Sequence, residues 1–458
     1  MKGLIFTVSL AYGGALVSLF SPFYGLLIYV CFAIVRPEDM WPWAVQGGNY
    51  SRIIAIAMLG GWMLHIGLTF LTGKGVNFRF GAGKTVVLLF LGFWLWSVYL
   101  ATQATSSEHA WHYVETLGKI LLPFLVGMTT IDSVKRLKQL AWVIVVSQGY
   151  VAYEMNSYYF GGYNKLWMDG FGGVDNNSNA IALVTVIGLA AFMFLNVEKL
   201  WQKGIIGLCG AFMGHAVLFS FSRGGMVALI VCAGVGFFLL KKSTRHYLAF
   251  GLACIGMVYL AGPEVRDRFM RTFEENKGKR EASAQSRIDL WADCWTVLQE
   301  DPVMGCGPNH WPLMAHRFGW ERGKEAHSLW VQTATETGFV GIFLFAGFYA
   351  VCMWRLWLLI RRATDDEDPW FADTGRMVIA GLCGFGVAAQ FVSLEALEVP
   401  YYVALLGAAT LAVHSKVKRE AEEEEYFDEE EYYEDDEHYY EESFDPDEQW
   451  GAALPAPV

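Results

Sequence analysis

The sequence predicts an all-α integral membrane protein of about 12 transmembrane helices with one large external loop. Three observations carry that expectation. Hydrophobic residues fill 54% of the 458 positions and charged residues only 17%, too little charge to cover a soluble chain of this length. The apolar residues fall in runs close to the length that crosses a hydrocarbon layer of about 30 Å at about 1.5 Å per residue. Lysine and arginine collect in alternate short connections, as they do where loops are retained in the cytoplasm.

The first apolar run, 3–35, is too long for one straight span and carries Pro22 in its middle, so it reads as a broken helix or a tight pair. Further runs follow at 52–71, 85–101, 114–130, 137–158, 178–195, 204–221, 224–240 and 247–261. After a polar gap come 328–359, 375–394 and 399–414. The expected organisation is a membrane bundle over 1–261, a large loop over 262–327 carrying amphipathic helices, three or so further spans over 328–414, and a tail over 415–458. Basic residues Lys74, Arg79, Lys84, Lys135, Arg136, Lys138, Lys199, Lys203, Lys241, Lys242, Arg245, Arg355, Arg361, Arg362, Lys416, Lys418 and Arg419 share one side when spans are counted in order. That side is cytoplasmic, which leaves the 262–327 loop and the shorter 159–177 loop outside. The side of the amino terminus depends on how 3–35 is counted.

The formal charge of -12 belongs to the tail. Residues 416–458 hold 18 acidic and 3 basic side chains, against 28 and 31 in the rest. Glutamate and aspartate there interleave with Tyr426, Tyr432, Tyr433, Tyr439 and Tyr440. Such a segment repels itself and is expected to be a disordered cytoplasmic tail, with docking to a partner as the other reading. Neither part is built for nucleic acid.

Several motifs fail on chemistry. Gly81-Ala-Gly-Lys84-Thr85 ends like a phosphate-binding loop, but Phe78 stands where glycine is needed and no strand precedes it. The acidic run Asp365 to Asp368 reads as a solvated connection. His310, His316 and His327 lack metal spacing, so no metal and no cofactor are expected. The eight cysteines show no C-x-x-C pair and mostly lie in apolar runs as small hydrophobes. Cys294 and Cys306 sit in polar sequence, where a disulfide would form only in an oxidising compartment.

The external half holds the candidate chemistry. Ser222-Arg223-Gly224-Gly225 places an arginine where two spans meet, either as a snorkelling interface residue or as an anion clamp beside glycines that admit a large headgroup. Ser286-Arg287-Ile-Asp-Leu-Trp291 opens an amphipathic helix, with Ile288, Leu290, Trp291 and Trp295 near helical spacing, suited to lie on a bilayer. His327 sits at an external helix start, either hydrogen-bonding there or taking a proton from a hydroxyl. Two arginines with a histidine suit transfer from a lipid diphosphate, because guanidinium forks match phosphate oxygens and neutralise the leaving group.

The order Asp175-Asn176-Asn177, Ser222-Arg223-Gly224-Gly225, Arg287 with Trp291, Gly305-x-Gly307, Ala326-His327-Ser328 and Glu336-Thr-Gly338 resembles the O-antigen ligase and polymerase superfamily over about residues 1–412. Arg36-Pro-Glu-Asp-Met-Trp41 looks like the branch of O-glycosylation ligases associated with the exosortase system. The resemblance implies a metal-independent glycosyltransferase of the bacterial inner membrane with a periplasmic loop and a cytoplasmic carboxyl terminus. Its donor would be an undecaprenyl-diphosphate-linked glycan, and its acceptor a lipid A core sugar, another glycan repeat or a protein hydroxyl. Carried over by position, His327 would be the catalytic base. Arg287 would be catalytic and diphosphate-binding, Arg223 diphosphate-binding, and Asp175, Asn177 and Ser222 would line the site.

Ligase and polymerase both use this donor chemistry. A secondary transporter or flippase is the alternative from another class, and it would bury ionisable groups near the bilayer midplane. Glu154, His65, Glu336 and His215 are the residues that would serve it, although charge avoids the middle of most spans. A structural or sensory membrane protein would tolerate replacement of His327.

Overall fold

A computed structural model describes residues 1–72, 80–240, 243–244, 246–248, 250–252, 254–256, 259, 277–364, 367–393 and 397–442, with side chains for all of these except 277–284 and 425–442. Lys74, Arg79, Lys241, Lys242, Arg245, Asp365, Asp366, the 262–276 stretch of the large loop, part of the expected 247–261 span and the end of the tail lie outside the described residues.

The main helices are α1 (Lys2–Phe20), α2 (Pro22–Val35), α3 (Tyr50–Leu71), α4 (Lys84–Gln103), α5 (Ser107–Thr130), α6 (Val134–Phe160), α7 (Asn176–Asn196), α8 (Leu200–Phe219), α9 (Arg223–Leu239), α10 (Lys277–Glu300), α11 (Leu329–Arg362), α12 (Pro369–Ala388) and α13 (Glu398–Glu442). Among the described residues there is no β-strand, only an isolated bridge between Phe171 and Val174. Among the described residues seven helices are long and apolar enough to cross a membrane: α1, α3, α4 with its preceding turn, α7, α8, α11 and α12. The sequence expectation was higher because it counted runs that form shorter helices, the 14 residues of α2 and the 17 of α9, or more charged ones such as α5 and α6. The 3–35 run is a broken pair, with Ser21 extended and Pro22 opening α2, where its missing N–H costs nothing.

An aromatic cluster joins α4, α5, α11 and α13, with Phe90 at 4.8 Å from Phe348, 5.2 Å from Tyr401 and 5.3 Å from Phe124 between ring centroids. Offset and edge contacts of this kind add to the area the rings bury. α7 packs against α12 across small residues. A Cβ on Gly381 would lie 2.3 Å from the Thr185 carbonyl oxygen, so only glycine allows this approach.

α11 is broken at Gly338, whose φ of 67° and ψ of -175° suit glycine alone. A helix opened this way frees backbone groups, and in an apolar setting each must find a partner. The large loop supplies them. Cys306 and Gly307 donate their N–H groups to the carbonyls of Thr335 and Glu336, both at 2.9 Å, and Phe339 N–H donates to Pro302 O at 2.8 Å. The loop base is thereby stitched into the break. Gly338→Ala would set a Cβ 2.0 Å from Val303 O. It is expected to cost at least about 1–3 kcal/mol from the backbone conformation alone, read as a lowered Tm of the purified protein.

His414–Val458 forms a second unit. Its backbone is helical to Glu442 rather than irregular. Pairs one turn apart, Lys416 with Glu420 at 3.7 Å and Arg419 with Glu423 at 3.5 Å, support a helix there.

Candidate active site

The starts of α7, α9 and α11 and the large-loop helix α10 bring the sequence-predicted residues together. Asp175 caps α7: its carboxylate accepts the Ser178 N–H at 2.9 Å, the Ser178 hydroxyl, and Asn177 Nδ2 at 3.0 Å. Burial pushes its pKa up, but those hydrogen bonds together with the charge of His327 outweigh it and hold the carboxyl below its ordinary range. Asn176 Nδ2 donates to Ser220 O at 2.7 Å, tying this cap to the corner between α8 and α9.

At that corner Phe221 is left-handed, with φ 55°. Ser222 then caps α9 by accepting Gly225 N–H at 3.1 Å. Ser222 is only 2% exposed, so it aims Arg223 rather than presenting a free hydroxyl. Arg223 is exposed and Arg287, on α10, is half-buried. Among the described residues neither guanidinium forms an ion pair. Burial and the nearby charge of Arg223 lower the pKa of Arg287. Two unpaired, mutually repelling guanidiniums from separate elements make a place for a polyanion.

His327 is half-buried between the buried Ala326 and Ser328, with a left-handed φ of 51°. Ser328 caps α11, accepting Val331 N–H at 3.4 Å. Burial lowers the imidazole pKa, and the charges of Lys324 and Arg287 add to this against an opposing pull from Asp175. Burial and Asp175 raise the pKa of Glu325. His327 is thus within electrostatic reach of both Asp175 and Arg287, and Arg287 within reach of Arg223.

Several expectations are corrected. The glycines after Arg223 serve packing: a Cβ on Gly225 would meet Ala180 Cβ at 2.7 Å and one on Gly224 would meet the Phe391 ring at 3.0 Å. In α10 the buried stripe is Leu290, Cys294, Val297 and Leu298, whereas Ile288 and Trp295 point outward at 55% and 52% exposure. Cys294 and Cys306 are both free thiols. His310 is structural, with Nε2 accepting Ser106 N–H at 2.9 Å and Nδ1 donating to Pro308 O at 2.7 Å. Among the described residues no group of three or more His, Cys, Asp or Glu is placed to hold a metal.

Sequence reasoning underrated Glu336. It is completely buried, and its carboxylate accepts Asn309 N–H at 2.7 Å, Trp311 N–H at 3.2 Å and Gln332 Nε2 at 3.2 Å. It clasps the loop to α11 instead of serving a transport path; its marks in the sequence were an acid inside an apolar run and its place in the Glu336-Thr-Gly338 motif. Of the other residues weighed for transport, Glu154 accepts the Tyr150 hydroxyl at 2.6 Å, His65 is exposed, and the His215 ring packs 4.3 Å from Phe219. Arg36 was also missed as a site support. Its guanidinium donates to Gly172 O, in the loop leading to Asp175. A cavity of about 350 Å³ lies elsewhere, among Asn196, Asp373 and Arg376 at the far ends of α7 and α11.

Residues 208–346 match the family model described as O-antigen ligase, a stretch that includes Ser222, Arg223, Arg287 and His327. Residues 1–196, with Asp175 and Asn177, match a family of unknown function, DUF5935. No curated protein matches the chain. The first match supports a multi-pass membrane enzyme of the O-antigen ligase and polymerase type.

Proposed function

We propose that this protein transfers a glycan from an undecaprenyl-diphosphate carrier to an acceptor hydroxyl at the periplasmic face of the bacterial inner membrane. The carrying observation is the pair of guanidiniums without an ion pair among the described residues, Arg223 and Arg287, with His327, its pKa lowered, in reach of Arg287. The large loop is periplasmic and the carboxyl terminus cytoplasmic in this reading, and Arg36 to Trp41 favours the exosortase-associated branch. The acceptor is a lipid, glycan or protein hydroxyl.

Neutral His327 takes the proton of the acceptor hydroxyl as its oxygen bonds to the anomeric carbon. The bond from that carbon to the diphosphate oxygen breaks, and the electron pair leaves with the diphosphate. Arg223 and Arg287 stabilise the charge that develops there. The Asp175 charge favours the imidazolium once it forms.

A depressed imidazole pKa keeps the base unprotonated near neutrality, so kcat/KM should rise with pH through a midpoint below the ordinary histidine value. Because the Lys324 charge helps depress it, Lys324→Gln should move that midpoint upward. A pH profile of the purified variant checks this, and an unmoved or lowered midpoint would contradict it.

A deletion strain tests the function itself. Loss of a ligase leaves long glycan chains on the lipid carrier, loss of a polymerase leaves single repeats, and unaltered surface glycans would defeat the proposal.

A further inference from the structure

We infer that Gln332 and Trp291 are positioning residues for His327: between them they pin both sides of buried Ala326, and so set the left-handed backbone of the histidine in register with Arg287. This rests on the reading of the site given above. Ala326 is completely buried. Its N–H donates to Gln332 Oε1 at 3.1 Å, and its carbonyl accepts Trp291 Nε1–H at 2.9 Å. A non-glycine residue holds φ 51°, as His327 does, only where its surroundings over-determine it.

Each clamp reaches a group of the proposed reaction. Trp291 lies one helical turn beyond Arg287 on α10, so its bond to Ala326 ties the helix that carries that guanidinium to the backbone just before His327. Gln332, 4% exposed, is itself held through Nε2 by Glu336, which grips the 309–311 backbone. A buried amide is costly unless both its ends are used, and here one end serves the loop clasp and the other the peptide before His327.

Trp291→Phe is the direct test, since it removes the N–H donor and keeps an aromatic ring. With a lipid-diphosphate-linked glycan as donor, kcat should fall by up to about 10²-fold, the effect of a misplaced reacting group, while the donor KM and the Tm stay near wild type. Gln332→Ala should lower kcat likewise, and it should also lower the Tm, because it strips a hydrogen bond from buried Glu336 and leaves the buried Ala326 N–H unpaired. In a His327→Ala background neither should cause further loss, because residues that act through one group are not additive. An unaltered kcat in Trp291→Phe, or a loss as large without His327 as with it, would overturn the positioning role. Inactive His327→Ala beside an unaltered Trp291→Phe sinks this inference alone, whereas fully active His327→Ala sinks the reading of the site as well.

Discussion

His327→Ala is expected to lower glycan transfer by about 10²- to 10⁴-fold, the usual contribution of a positioned general base, with protein yield and membrane insertion unchanged. The imidazole is half-buried, and no described hydrogen bond runs to its ring. Removing it therefore leaves no buried partner unsatisfied and little packing undone. The residue's left-handed backbone is the one complication, since alanine tolerates that conformation less well than histidine. His327→Asn meets it, because asparagine accepts left-handed φ without supplying a base. Both variants should be inactive, and transfer at wild-type rates in either one would remove His327 from the chemistry.

Arg223→Lys and Arg287→Lys should each lose about one to two orders of magnitude in kcat/KM, since a lost hydrogen bond to a charged group is worth about 1.5–3 kcal/mol. An ammonium keeps the charge but presents no planar fork to two oxygens at once. The pair should also behave as one anion site. The repulsion that lowers the Arg287 pKa is relieved when a diphosphate sits between the guanidiniums, so inorganic diphosphate should raise the Tm of the wild type and do so less in either lysine variant. A lysine variant with wild-type activity would return Arg223 to the role of a snorkelling interface residue.

Much of this arrangement was legible in sequence, and the reasons for the exceptions are physical. Apolar runs locate helix ends well, so Arg223 and His327 could be placed at the starts of α9 and α11 and Asp175 at the cap of α7. Pro22 announced its break because a ring without an N–H acts locally. The break at Gly338 did not show, since hydropathy continues through it and the groups that satisfy it, Pro302, Cys306 and Gly307, come from the distant loop. Periodicity located α10 but not its buried face. Leu290 with Cys294, and Ile288 with Trp295, are both at helical spacing, and only the docking of α10 on α11 decides between them. The glycines after Arg223 were ambiguous for the same reason, because a small residue reads alike whether a ligand or Ala180 comes close.

The most direct test is a single assay with purified protein in vesicles, a labelled lipid-diphosphate-linked glycan and an acceptor, in which the fate of the carrier is followed. One molecule of free undecaprenyl diphosphate should appear for each glycan joined to acceptor, and both should fall together by about 10²- to 10⁴-fold with His327→Ala. Donor that crosses the vesicle membrane with its carrier bond intact would contradict the account and mark a transporter instead.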